Sequence, residues 1–137
     1  MWWIYALLSA LFAALTAIFA KIGIKGVDTD LATAIRTVVI LLIAWAIVLY
    51  KGTNHGISGL SKLNWTFLVL SGCATGLSWI FYFKALQLGK VSQVAPVDKL
   101  SVAIAIILSV VFLGEPLTLK TGMGALLIIS GTLVLIF

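Results

Sequence analysis

These 137 residues describe an all-α integral membrane protein with five transmembrane helices. Hydrophobic residues make up 63% of the chain and Asp, Glu, Lys and Arg only 9%, against about 25% charged residues in an ordinary soluble domain. Nine basic and four acidic side chains cannot cover the surface of a water-soluble globule of this length, so lipid must be the solvent. The apolar residues also gather into five runs that approach or exceed the roughly 20 residues needed to span a bilayer. Between the runs stand the Gly, Asp, Asn and Lys of polar turns.

The expected spans are 2–20, 31–50, 65–88, 91–113 and 117–137, all within one domain, 1–137. The first carries no charge and stops at Lys21, Gly23, Lys25 and Gly26. It reads as a mature helix rather than a secretory signal, because it is longer than a usual signal core, lacks a basic start and has no small-residue cleavage site. Asp30 can cap the second helix, which carries Arg36 and ends at Lys51 and Gly52. The link from Lys51 to Asn64, which holds the single His55, reads as a solvated loop or an interfacial segment. Trp65, an interfacial anchor type, opens the third helix, and Lys84 lies near its end. The clean apolar part of the fourth, Leu100 to Leu113, spans only about 21 Å, so it must extend back through Asp98 and Lys99. Gly114, Glu115 and Pro116 then give a stop and a restart, with Pro116 expected in the first turn of the fifth helix.

Composition also excludes functions. One cysteine and one histidine leave no disulfide framework and no thiolate or imidazole metal cage. Cys73, inside the third helix, is most simply a small packing residue. The net charge of +5 comes from lysines and an arginine scattered singly, without the basic run or face that nucleic acid requires. No paired carboxylates, nucleophile triad or metal cluster appears, so nothing supports an enzyme, a cofactor or a bound metal. The expected partners are membrane lipids and a small molecule.

If the N-terminus is placed on side A of the membrane, Arg36, Lys84, Asp98 and Lys99 all fall in the leaflet nearer side B. Each costs about 2.5–3.5 kcal/mol at a helix centre and less near an end, and such groups usually face a bundle interior or a wet cavity. Two readings follow. In one, a polar chamber holds Asp98 against Arg36, Lys84 or Lys99 and leaves excess positive charge for an anionic substrate. In the other, Lys84 only snorkels and Asp98 only favours the start of a helix that begins at Pro96. Arg36 resists the second reading, because a guanidinium stays charged and needs a partner or water. Pro96, if the helix continues upstream, frees the carbonyl of Ser92; broken helices at membrane depth make binding sites.

In the third helix Trp79, Tyr82 and Gln87 either line a cavity or belong to the interfacial belt, and Ser78 and Pro96 are further cavity-lining candidates. Gly72 and Gly76 form a GxxxG pair for close helix approach, and Gly124 and Gly131 share one face of the fifth helix, which suits a dimer interface.

Taken in order, these residues resemble the EamA-like domain of the drug/metabolite transporter superfamily. The likeness is strongest from Phe81 to Phe137, where Lys-Ala-Leu-Gln-Leu-Gly from Lys84, Val94-Ala-Pro96, Phe-Leu-Gly-Glu115-Pro-Leu-Thr from Phe112, and Gly124 with Gly131 follow the family's order. The Ala-rich first helix ending at Lys21 and the second-helix Arg36 match it more loosely. The resemblance implies alternating-access transport of a small polar metabolite, such as an amino acid or another anionic or zwitterionic compound. Most members fuse two such domains in opposite orientation, so the resemblance implies that this chain corresponds to half of a ten-helix inverted-repeat transporter. Two copies inserted in opposite directions would restore the whole as an antiparallel homodimer.

Loop lysines divide three to three, Lys51, Lys62 and Lys120 on side A and Lys21, Lys25 and Lys90 on side B, the balance that dual insertion needs. Including Arg36, Lys84 and Lys99 makes side B heavier. The inner membrane of a cell is the expected location. The rival readings are a non-transporting subunit of a hetero-oligomer and a component of a lipid-linked sugar flippase.

Overall fold

The computed structural model describes residues 1–137. All of its regular structure is helical: α1 (Trp2–Gly23), α2 (Thr29–Lys51), a 3₁₀ segment (Thr53–Gly59), α3 (Lys62–Leu88), α4 (Val91–Asp98), α5 (Leu100–Leu113) and α6 (Leu119–Ile136). Five segments are long and apolar enough to cross a membrane, the fourth being α4 and α5 together, Val91–Leu113.

The helix ends follow from local chemistry. Asp28, not Asp30, caps α2: its extended backbone presents Oδ1 to the amides of Asp30 and Leu31, each at 3.0 Å, leaving Asp30 as a first-turn charge that favours the positive helix end. Gly52 closes α2 at φ 66°, and Gly114 closes α5 at φ 67°, a left-handed conformation in which a side chain would be strained. Ser61 Oγ accepts from the amide of Asn64 at 3.1 Å, so α3 begins at Lys62, ahead of Trp65. The link before α3 contains a 3₁₀ segment, Thr53–Gly59, with no buried residue. Pro116 lies in the link after α5 instead of a first helical turn, because Thr118 takes the capping position of α6 and accepts from the amide of Thr121 at 3.2 Å.

The contacts divide the chain into two units, Phe19–Gln87 and Met1–Ile18 with Leu88–Phe137. In the first, Ala20, Ile24, Thr29, Thr33, Phe83 and Leu86 are buried. In the second, α6 packs on α4 and α5, and Ala17, Ala103 and Thr132 are buried. Elsewhere large apolar side chains point outward, with Trp2, Phe12, Leu42, Leu68 and Leu127 all more than half exposed. Such a surface is stable only where lipid or another apolar chain covers it.

Candidate functional site

Within the unit Phe19–Gln87, α2 places Thr29, Thr33, Arg36 and Thr37 on one face by helical spacing. The threonine hydroxyls are satisfied within the helix: Thr33 donates to the Thr29 carbonyl and Thr37 to the Thr33 carbonyl, both at 2.8 Å. Arg36 remains, about 10 Å along α2 from its start, half-buried. Its partners come from α3, where Trp79, Tyr82, Phe83 and Leu86 share a face. The guanidinium carbon lies 4.9 Å from the Trp79 ring centroid and 4.7 Å from that of Phe83. The Tyr82 ring leans on Phe83 with centroids 6.2 Å apart.

Two cation–π contacts, each about 0.5–2 kcal/mol depending on desolvation, are of the same order as the roughly 2.5–3.5 kcal/mol cost of an arginine at a helix centre. Ring faces can therefore hold the charge in an apolar span. They leave the in-plane N–H donors of the guanidinium unused, and those donors fit a carboxylate or phosphate edge. No carboxylate in this unit occupies them.

Gly72 and Gly76 lie on the same α3 stripe as Trp79 and Phe83, and a Cβ added at either would meet nothing within 4 Å. The stripe that holds Arg36 therefore continues into open space. Ser78 is exposed beside Trp79, and Lys84 is exposed beside Phe83. Lys84 makes no ion pair.

The unit containing α4–α6 holds its charges differently. Pro96 sits inside α4, and the break follows at Lys99, whose amide is shared between the carbonyls of Ala95 at 3.3 Å and Pro96 at 3.0 Å. The helix thus extends upstream of Pro96, and its break falls three residues beyond. Asp98 pairs with Lys99 at 3.3 Å, with side chains 35% and 57% exposed. Buried Thr132 of α6 offers its hydroxyl to the Ile128 carbonyl at 2.8 Å and the Pro96 carbonyl at 3.2 Å. Gly124 and Gly131 of α6 also meet nothing within 4 Å of an added Cβ.

Sequence reasoning passed over Phe83, Thr33 and Thr132. The spacing of four after Trp79 places Phe83 on the same face, but nothing in the sequence separates it from a lipid-facing phenylalanine. Thr132 gave no signal, because a lone threonine in an apolar helix usually bonds to its own backbone. No group of three or more His, Cys, Asp or Glu side chains converges to hold a metal.

Five apolar spans, with a guanidinium over two ring faces and an ion pair at a helix break, define a polytopic α-helical membrane protein. A family model narrows the class: the EamA-like transporter family matches residues 1–137, and the chain belongs to that family. It is similar to an uncharacterized transporter in the cobO 3'region of a Sinorhizobium species, 51% identical over 134 residues that cover 98% of this chain and 95% of the relative. It is also similar to an uncharacterized protein of Methanocaldococcus jannaschii, 33% identical over 132 residues, covering 96% and 93%. No solved structure matches. The general function is membrane transport, and the family points away from an enzyme.

Proposed function

We propose that the chain moves a small polar metabolite with an anionic group, an amino acid or another anionic or zwitterionic compound, across the inner membrane by alternating access. The observation that carries this reading is Arg36, held by Trp79 and Phe83 with its hydrogen-bonding edge unclaimed. A substrate carboxylate takes that edge, Lys84 supplies further positive charge, and the open stripe at Gly76 and Gly72 gives the substrate room. Asp98, paired with Lys99, carries the coupling proton, so that substrate exchanges with proton. Pro96 and the break beside it supply the hinge on which access alternates.

The working unit is an antiparallel homodimer. An odd number of spans lets two oppositely inserted copies form an inverted repeat, and Gly124 and Gly131 have room for a second α6. The test joins uptake to topology. Proteoliposomes carrying the purified chain should accumulate members of a panel of radiolabelled amino and organic acids against protein-free vesicles. A cysteine at Ser58, in a Cys73→Ala background, should react with an impermeant maleimide in two separate populations, one from each side of intact membranes. Labelling from one side only would reject dual insertion and favour a hetero-oligomeric subunit. No uptake of any panel member would reject the substrate class.

A further inference from the structure

Away from Arg36, the unit Phe19–Gln87 contains a depression of about 590 Å³ lined by Lys21, Ile22, Ile24, Lys25, Gly26 and Gln87. That volume falls within the roughly 300–1,000 Å³ of small-ligand sites. We infer that it binds the phosphate of an anionic membrane lipid, with Lys25 as the principal contact.

The depression lies where the helices end. α1 stops at Gly23 and α3 at Leu88, so in spanning helices its rim stands at the level of the lipid headgroups. Two bonds shape the wall: the Lys21 ammonium donates to the Leu86 carbonyl, and the Gln87 amide donates to the Val27 carbonyl at 3.1 Å. Lys21 thereby satisfies a carbonyl at the negative end of α3 and offsets that helix's dipole. Lys25 is exposed and makes no ion pair. The only charged groups in the wall are thus two ammonium groups.

The nearby acids are directed elsewhere. Asp28 accepts from the amides of Asp30 and Leu31 at the start of α2, Asp30 belongs to that helix's first turn, and neither lines the depression. A phosphate would receive charge-assisted hydrogen bonds. A lipid source is favoured over a free anion because Ile22, in the same wall, is 70% exposed and would lie against the apolar body of a lipid but not against an inorganic phosphate. Basic pockets between transmembrane helices hold anionic headgroups in the same way.

Binding is measured on the purified full chain in zwitterionic detergent, by native mass spectrometry and thermal shift, with phosphatidylglycerol or phosphatidylcholine added. Phosphatidylglycerol should bind and raise the melting temperature more than phosphatidylcholine. Lys25→Gln should weaken that binding about five-fold, the effect of about 1 kcal/mol for one lysine at a membrane surface. Lys25→Glu should remove it, and Lys25→Arg should keep it. Lys51→Gln, outside the depression, should change nothing. Soluble glycerol phosphate should not compete at the concentrations where the lipid binds. Undiminished binding by Lys25→Gln and Lys25→Glu, an equal loss in Lys51→Gln, or full competition by glycerol phosphate would overturn the assignment. None of these readouts depends on transport.

Discussion

The two units of this chain meet the same difficulty, an ionisable side chain within an apolar span, and resolve it by different means. In Phe19–Gln87 the helix stays continuous, and Arg36 is accommodated by the faces of Trp79 and Phe83. In the unit containing α4–α6 the helix itself is interrupted, Asp98 and Lys99 neutralise one another at the break, and Thr132 takes up a carbonyl of the kinked segment. Ring faces hold a charge without occupying its hydrogen-bonding edge, whereas an ion pair occupies each partner with the other. On the function proposed above, the first arrangement would receive the substrate's anionic group and the second would exchange a proton or bend.

Substitutions that unmake one arrangement and spare the other sharpen this contrast. Phe83, fully buried, is both core and platform, so Phe83→Ala should cost about 3–5 kcal/mol of stability in a reversible unfolding titration in micelles. An effect below about 1 kcal/mol would mean that the ring supports nothing. Trp79→Leu keeps apolar bulk and removes one ring, and should cost about 1–2 kcal/mol, most of it lost again when Arg36→Met is added in a double-mutant cycle. Simple additivity of the two would show that ring and guanidinium are not coupled. Thr132→Val, which keeps the shape and removes the donor, should cost about 0.6–1.7 kcal/mol, the range for hydrogen bonds between membrane helices, while Thr132→Ser stays near wild type. An unaffected Thr132→Val would leave the Pro96 contact without energetic weight. Smallest of all, Lys99→Gln should alter stability by less than about 1 kcal/mol, since an exposed ion pair contributes little; a larger loss would mean that Asp98 is buried and depends on its neighbour.

The spans were legible because a charge or glycine at each boundary contrasts with some 20 apolar neighbours, a one-dimensional signal. Cap positions were less so: Asp28 and Asp30 both suit an N-cap, and only the backbone path decides that Asp28 faces the free amides. The fourth span showed its interruption through Pro96, yet the break falls at Lys99, because the proline is accommodated within α4 and the bonding tightens only where one amide serves two carbonyls. Arg36 was identifiable as a group needing a partner, and Trp79 and Tyr82 as residues on the relevant helix. Phe83 was not, since a phenylalanine in an apolar helix looks like any lipid-facing side chain until the neighbouring helix is in place. Asp98 was expected to pair with Arg36, Lys84 or Lys99, and its ion pair is with Lys99. Three cations were candidates, and chain order alone does not rank them by distance.

The role of Arg36 is tested most directly by flux of an accepted substrate into proteoliposomes carrying wild type, Arg36→Ala or Asp98→Asn, each reconstituted at equal density and checked for its oligomeric state. Arg36→Ala should lower flux at least about ten-fold, the equivalent of about 1.4 kcal/mol of lost anion contact, with assembly unchanged, and Asp98→Asn should abolish the response to a proton gradient. Full flux in both variants would contradict the account.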